Sequence, residues 1–120
     1  MRNDNILKDK SYLFAIRIVN FYKFLKDEKQ EFILSKQVLR SGTSIGAMVE
    51  VALLGESKMN FIHKLSIANK EANETRYWIR LLKDTDFITN NEAESLILNV
   101  EELIKLLVAI IKSTKASIKK

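Results

Sequence analysis

Between Lys58 and Lys83 the residues Phe61, Leu65, Ala68, Ala72, Thr75, Ile79 and Leu82 recur at alternating spacings of four and three. Residues spaced in this way share one face of an α-helix, whereas a half-buried strand requires alternation at every second position. A long helix with one apolar-to-small stripe must bury that stripe against other helices. No proline and only three glycines, Gly42, Gly46 and Gly55, are present, so the turn residues that a many-stranded sheet needs at each reversal are missing. With 120 residues, the chain has the length of one domain and can bury a single core.

Three further helices follow from the same reasoning. Phe14, Ile18, Phe21 and Leu25 mark helix 1 over about 9–27, with Ala15, Val19 and Tyr22 widening its apolar face. The polar run Asp27 to Gln30 interrupts the pattern. Helix 2, about 31–54, carries Leu34, Val38, Ile45, Met48 and Ala52, with Ser41 at the one non-apolar position of the stripe. Gly55 then suits a left-handed C-terminal cap, and Ser57 can accept from the first amides of helix 3, about 58–83. Thr89 lies three residues before Glu92, the spacing of a capping box, and opens helix 4 over about 90–115. Leu96, Val100, Leu103, Leu107, Ile110 and Thr114 form one stripe of this helix, and Ile97, Ile104 and Ile111 a neighbouring one. Short connections make consecutive helices antiparallel, so the expected fold is an all-α, up-down-up-down four-helix bundle.

Antiparallel pairing also gives a register. A reversal at residues 55–56 places Arg40 opposite Glu71 and Glu50 near Phe61 and Lys64. Arg40 and Glu71 are therefore expected to form a structural ion pair, a guanidinium fork against a carboxylate.

The net charge of +5 is uneven: Lys112, Lys115, Lys119 and Lys120 supply +4, leaving 16 basic against 15 acidic groups, or +1, in residues 1–111. The basic tail over 112–120 reads either as a solvated end or as an attraction for nucleic acid or acidic lipid. Apolar residues make up 47% and charged residues 29%, a composition too hydrophobic for a disordered chain. The absence of cysteine removes disulfides and thiolate chemistry and fits a reducing compartment. No apolar run reaches bilayer length and the N-terminus has no signal-peptide core, so a cytoplasmic protein without membrane contact is expected.

Few residues suggest chemistry. The segment Arg40 to Glu50, RSGTSIGAMVE, has glycines but neither the lysine nor the preceding strand of a phosphate-binding loop. Gly42 and Gly46 instead suggest a flat stripe for close helix packing. Glu50, Glu71, Glu74 and His63 invite comparison with di-iron bundles, but the Glu-x-x-His motifs of those proteins are missing. No metal, cofactor or catalytic site is assigned. Tyr77 and Trp78 stand between Arg76 and Arg80, a pattern open to core or subunit packing and to stacking on an unpaired base. With Arg17, Lys23 and Lys26 on helix 1 and the tail lysines, Arg76 and Arg80 complete the candidate nucleic-acid-binding set.

The stretches QVLRSGTSIGAMVEVA (Gln37 to Ala52), FIHKLSIANKEANETRYWIRLL (Phe61 to Leu82) and IIKSTK (Ile110 to Lys115) resemble the bacterial four-helix bundle family associated with intervening sequences in 23S ribosomal RNA. Its relatives include accessory proteins of diversity-generating retroelements. The resemblance implies a left-handed bundle, homo-oligomers in the form of pentameric barrels, and binding to structured RNA or to a reverse transcriptase. The alternative reading of the residues is a bundle that only mediates protein contacts.

Overall fold

The computed structural model describes residues 2–119, which form four helices in sequence: α1 Arg2–Asp27, α2 Leu34–Leu53, α3 Lys58–Asp84 and α4 Asn90–Ile118. They pack into a rod of 51 × 21 × 20 Å. α1 touches α2 and α4, and α3 touches α2 and α4, while the diagonal pairs do not approach. Cross-contacts give the directions. Gly42 faces Ile18 and Gly46 faces Ser11. Arg17 bonds Ser95 where Lys10 bonds Glu102, and Arg76 bonds Glu101 where Lys58 bonds Ser117. In each pair of helices one residue number rises as the other falls, so neighbours are antiparallel.

α1 begins at Arg2, earlier than the expected residue 9, because Leu7 and Ser11, both buried, continue the Phe14–Ile18–Phe21–Leu25 stripe at the same spacings. α2 begins at Leu34, later than the expected residue 31. Glu31 instead stands outside the helix, buried, and its carboxylate accepts from the backbone N–H groups of Leu34 at 3.1 Å and Ser35 at 2.6 Å. It thereby satisfies amides that the N-cap, Ile33, leaves without a side-chain acceptor. α4 continues to Ile118, so the lysines at 112, 115 and 119 belong to or adjoin a helix and do not form a loose tail. Lys120 lies outside the described residues.

The remaining helix ends are mostly those expected. Ser57 Oγ accepts from Asn60 N at 3.0 Å, and Thr89 and Glu92 form the reciprocal capping box. Gly55 does not form a left-handed cap: no described glycine has positive φ, and Leu54, the residue that caps α2 after Leu53, is itself in right-handed helical geometry. The left-handed residues are Gln30 (φ 55°) and Asp86 (φ 68°), just beyond α1 and α3.

The core follows the four stripes. Leu65, Ala68, Ala72, Thr75, Ile79 and Leu82 are fully buried on α3, and Leu96, Val100, Leu103, Leu107 and Ile110 on α4. Ile97, Ile104 and Ile111 are partly buried beside them. On α2 the buried residue is Val49 where Met48 was expected; Met48 packs at the core's edge. The small residues on α2 have two neighbours to meet. Gly42 and Gly46 lie against α1, while Ser41 Oγ shares a buried 2.8 Å hydrogen bond with Thr75 Oγ1 of α3.

Candidate binding surfaces

The candidate cations divide into those the fold uses internally and those it leaves at the surface. On the α1–α4 seam Arg17 is half-buried. Its Nη2 donates to Ser95 Oγ at 2.7 Å and its Nη1 to Ser95 O at 3.3 Å and to Asn99 Oδ1. On the α3–α4 seam Arg76 donates to Asn73 Oδ1 at 2.9 Å and to Glu101 Oε2 at 3.3 Å. Both arginines tie helices together. On α1, Lys23 is exposed, and Lys26 is half-buried with its Nζ 5.4 Å from the centroid of the Tyr22 ring, a cation–π contact.

Arg80, Lys112, Lys115 and Lys119 are exposed. The three lysines line a groove of about 590 Å³ between α3 and α4, together with Ser66, Asn69, Val108, Ile111 and Ala116. No carboxylate is among the described residues lining it. Lys112, Lys115 and Lys119 are three and four apart, which keeps their ammonium groups on one side of α4.

Tyr77 and Trp78 separate. Tyr77 is exposed on α3, whereas Trp78 is half-buried against the core, and the rings meet edge to face with centroids 5.0 Å apart. His63 and Glu50 are exposed on different helices. No group of three or more potential metal ligands occurs among the described residues, and no helix is long and apolar enough to cross a membrane.

Across the α2–α3 seam, Arg40 Nη1 meets Glu71 Oε2 at 3.2 Å and its Nη2 meets Glu74 Oε1 at 2.7 Å. One guanidinium thus serves two carboxylates. Glu74 lies one turn beyond Glu71 on the same face, a spacing visible in the sequence but not used in pairing Arg40. Burial pushes the Glu71 carboxyl above its ordinary value, with the neighbouring Glu74 adding to the rise. The hydrogen bond from Arg40 holds Glu74 below its ordinary value, and that contact also raises the Arg40 guanidinium. The two acids therefore divide the roles, Glu74 as the ionised partner and Glu71 as the one that binds a proton more readily.

These features define an antiparallel four-helix bundle that presents charged seams and one lysine-lined groove. The chain belongs to the family of 23S rRNA-intervening sequence proteins, whose family profile matches residues 3–109. It is similar to a crystal structure of a protein of unknown function from the S23 ribosomal protein family of Bacteroides thetaiotaomicron. That protein is 55% identical, with a TM-score of 0.91, over 92% of this chain and 98% of the other. No curated protein matches.

Proposed function

We propose that the protein is a non-enzymatic, cytoplasmic homo-oligomer that binds structured RNA through phosphate contacts. The observation that carries this reading is the carboxylate-free groove bearing Lys112, Lys115 and Lys119. Lysine is a strongly hydrated point charge suited to phosphate, and three such charges on one helix face lower the cost of bringing a polyanion close. Arg80, exposed on α3, and Lys23 on α1 add charge elsewhere; Arg17 and Arg76 act mainly by holding their seams. A homo-oligomer, pentameric in the resemblance, presents the groove several times and raises avidity without new contacts. A reverse transcriptase is the protein partner that the same resemblance implies.

Fluorescence anisotropy with a structured RNA hairpin across a salt series tests this. About three neutralised phosphates per protein give a slope of log K against log salt of about −2 to −3. No binding at low salt rules the reading out. A second reading, a bundle that only contacts proteins, is favoured by the internal use of Arg17 and Arg76 and by Tyr12, Leu13 and Ile16, which are exposed together on α1. Co-purification of protein partners without nucleic acid selects it.

A further inference from the structure

The outward side of α4 carries a third stripe, distinct from the two that face the core. Glu94, Leu98, Glu101, Lys105, Val108 and Lys112 follow one another at spacings of four, three, four, three and four, the repeat of a coiled-coil seam. Leu98 is 60% and Val108 48% exposed; Glu94, Lys105 and Lys112 are also exposed, and Glu101 is half-buried. The order of residue types is charge-palindromic. Both acids precede both bases, and each half contains one exposed apolar residue.

We infer that α4 is a self-recognition surface, on which a second copy of this chain packs its own α4 antiparallel about a two-fold axis. Such an axis requires one surface to complement itself, with every contact made twice. With residue numbers across the seam summing to 206, Glu94 meets the partner's Lys112, Leu98 meets the partner's Val108 and Glu101 meets the partner's Lys105. All six residues lie within about 40° of one line along α4. At 100° per residue, Leu98 lies about 40° to one side of the Glu94–Lys112 line and Val108 about 40° to the other. A two-fold axis that reverses one helix keeps each side of the seam against its own counterpart, so Leu98 and the partner's Val108 stand at one level on either side of the mid-line. A shift of one heptad in either direction brings leucine or valine against charge, and a parallel arrangement places like charges together. Glu101 already holds Arg76 through Oε2 at 3.3 Å, which leaves Oε1 to accept from the partner's Lys105.

The seam spans about 27 Å of helix. A single helix pair of that length is small beside the roughly 1,200–2,000 Å² buried in stable complexes, so association is weak and concentration-dependent. Its ion pairs lie at the surface, where salt screens them. Lys115 and Lys119 take no part in the seam and stay available to an anionic ligand, whereas Lys112 also lines the groove, so its pairing with the partner's Glu94 and its contact with phosphate exclude each other.

The chain has no cysteine, so engineered thiols report the register directly. In Leu98→Cys/Val108→Cys the two thiols of one chain are about 15 Å apart along α4, beyond the roughly 7 Å Cα separation that a disulfide spans. Mild oxidation is expected to give a covalent dimer from this double variant and none from Leu98→Cys alone. By sedimentation equilibrium at low salt, Glu94→Lys is expected to weaken self-association at least tenfold, and Glu94→Lys/Lys112→Glu to restore it, with far-UV circular dichroism as the folding control. Where copies also assemble through other faces, Glu94→Lys keeps that smaller assembly and loses its doubling. A monomer at all concentrations, an assembly mass indifferent to Glu94→Lys, or equal cross-linking by Leu98→Cys alone overturns the proposal.

Discussion

A Cβ placed on Gly42 would lie 2.8 Å from both Cγ1 and Cγ2 of Ile18, so α1 and α2 approach each other as closely as they do only because position 42 has no side chain. The two Ile18 carbons are branched at Cβ and fixed by the helix rotamer, and they cannot swing aside as the end of a flexible chain would. Gly42→Ala returns about 1 kcal/mol of helix propensity and costs roughly 1–3 kcal/mol in overpacking. The stiffness of Ile18 puts the cost at the upper end, so a net loss of about 1–2 kcal/mol is expected by urea denaturation. Adding Ile18→Ala should cost less than the two single losses summed, because the clash disappears. Strict additivity would show that the contact is not tight.

Thr75 and Ser41 share the buried hydrogen bond between α2 and α3. Thr75→Val leaves the Ser41 hydroxyl buried without that partner, an expected cost of about 1–3 kcal/mol. Ser41→Ala/Thr75→Val removes both groups and should recover most of it. A double variant no more stable than Thr75→Val would contradict the pairing.

Glu31 caps α2 from outside the helix. Glu31→Ala strands the amides of Leu34 and Ser35 and is expected to cost about 1–2 kcal/mol, the value of a strong N-cap. Exchange of those two amides, followed by NMR, should accelerate more than exchange in the middle of α3.

The carboxyls facing Arg40 have opposite pH signatures. Glu74 is depressed, so the stability it contributes is present above the ordinary carboxylate value and is lost as pH falls through the depressed one. Glu71 is raised; its contribution is full below the ordinary value and is lost as pH rises through the raised one. At pH 7, Glu74→Gln should therefore cost more than Glu71→Gln, although Glu71 is the more buried. Arg40 is about half exposed, and solvent screening limits the difference to about 0.5–1 kcal/mol. Thermal melts from pH 3 to pH 7 read the sign: Glu74→Gln should flatten the acid limb, and a larger loss for Glu71→Gln at pH 7 would reverse the assignment.

The periodic faces were the most legible part of the sequence. Six of the seven α3 stripe residues are fully buried, and only Phe61, at the helix start, is half-exposed. Met48 and Val49 exchanged places because α2 faces two neighbours and an α-helix drifts from a strict heptad over its length. The antiparallel register brought Arg40 within reach of Glu71 but did not anticipate that Glu74, one turn on, would share it. Gly55 was ambiguous in principle, since glycine tolerates both left- and right-handed geometry. Glu31 looked like a helix residue because a carboxylate that caps and one that is solvated have the same sequence signature. Arg17 and Arg76 illustrate the hardest case. A long cation can reach phosphate or a neighbouring helix, and the Ser95 and Asn99 that engage Arg17 are 78 and 82 residues away.

The most direct test of phosphate binding in the α3–α4 groove is the salt dependence of RNA affinity for the unmodified chain and for Lys112→Ala/Lys115→Ala/Lys119→Ala. Each lost phosphate contact should reduce the slope by about 1, so the triple variant is expected to bind weakly with little remaining salt dependence. Arg17→Ala, in contrast, should lower thermal stability and leave the slope nearly unchanged. A triple variant whose affinity and slope match those of the unmodified chain would contradict the assignment of the groove.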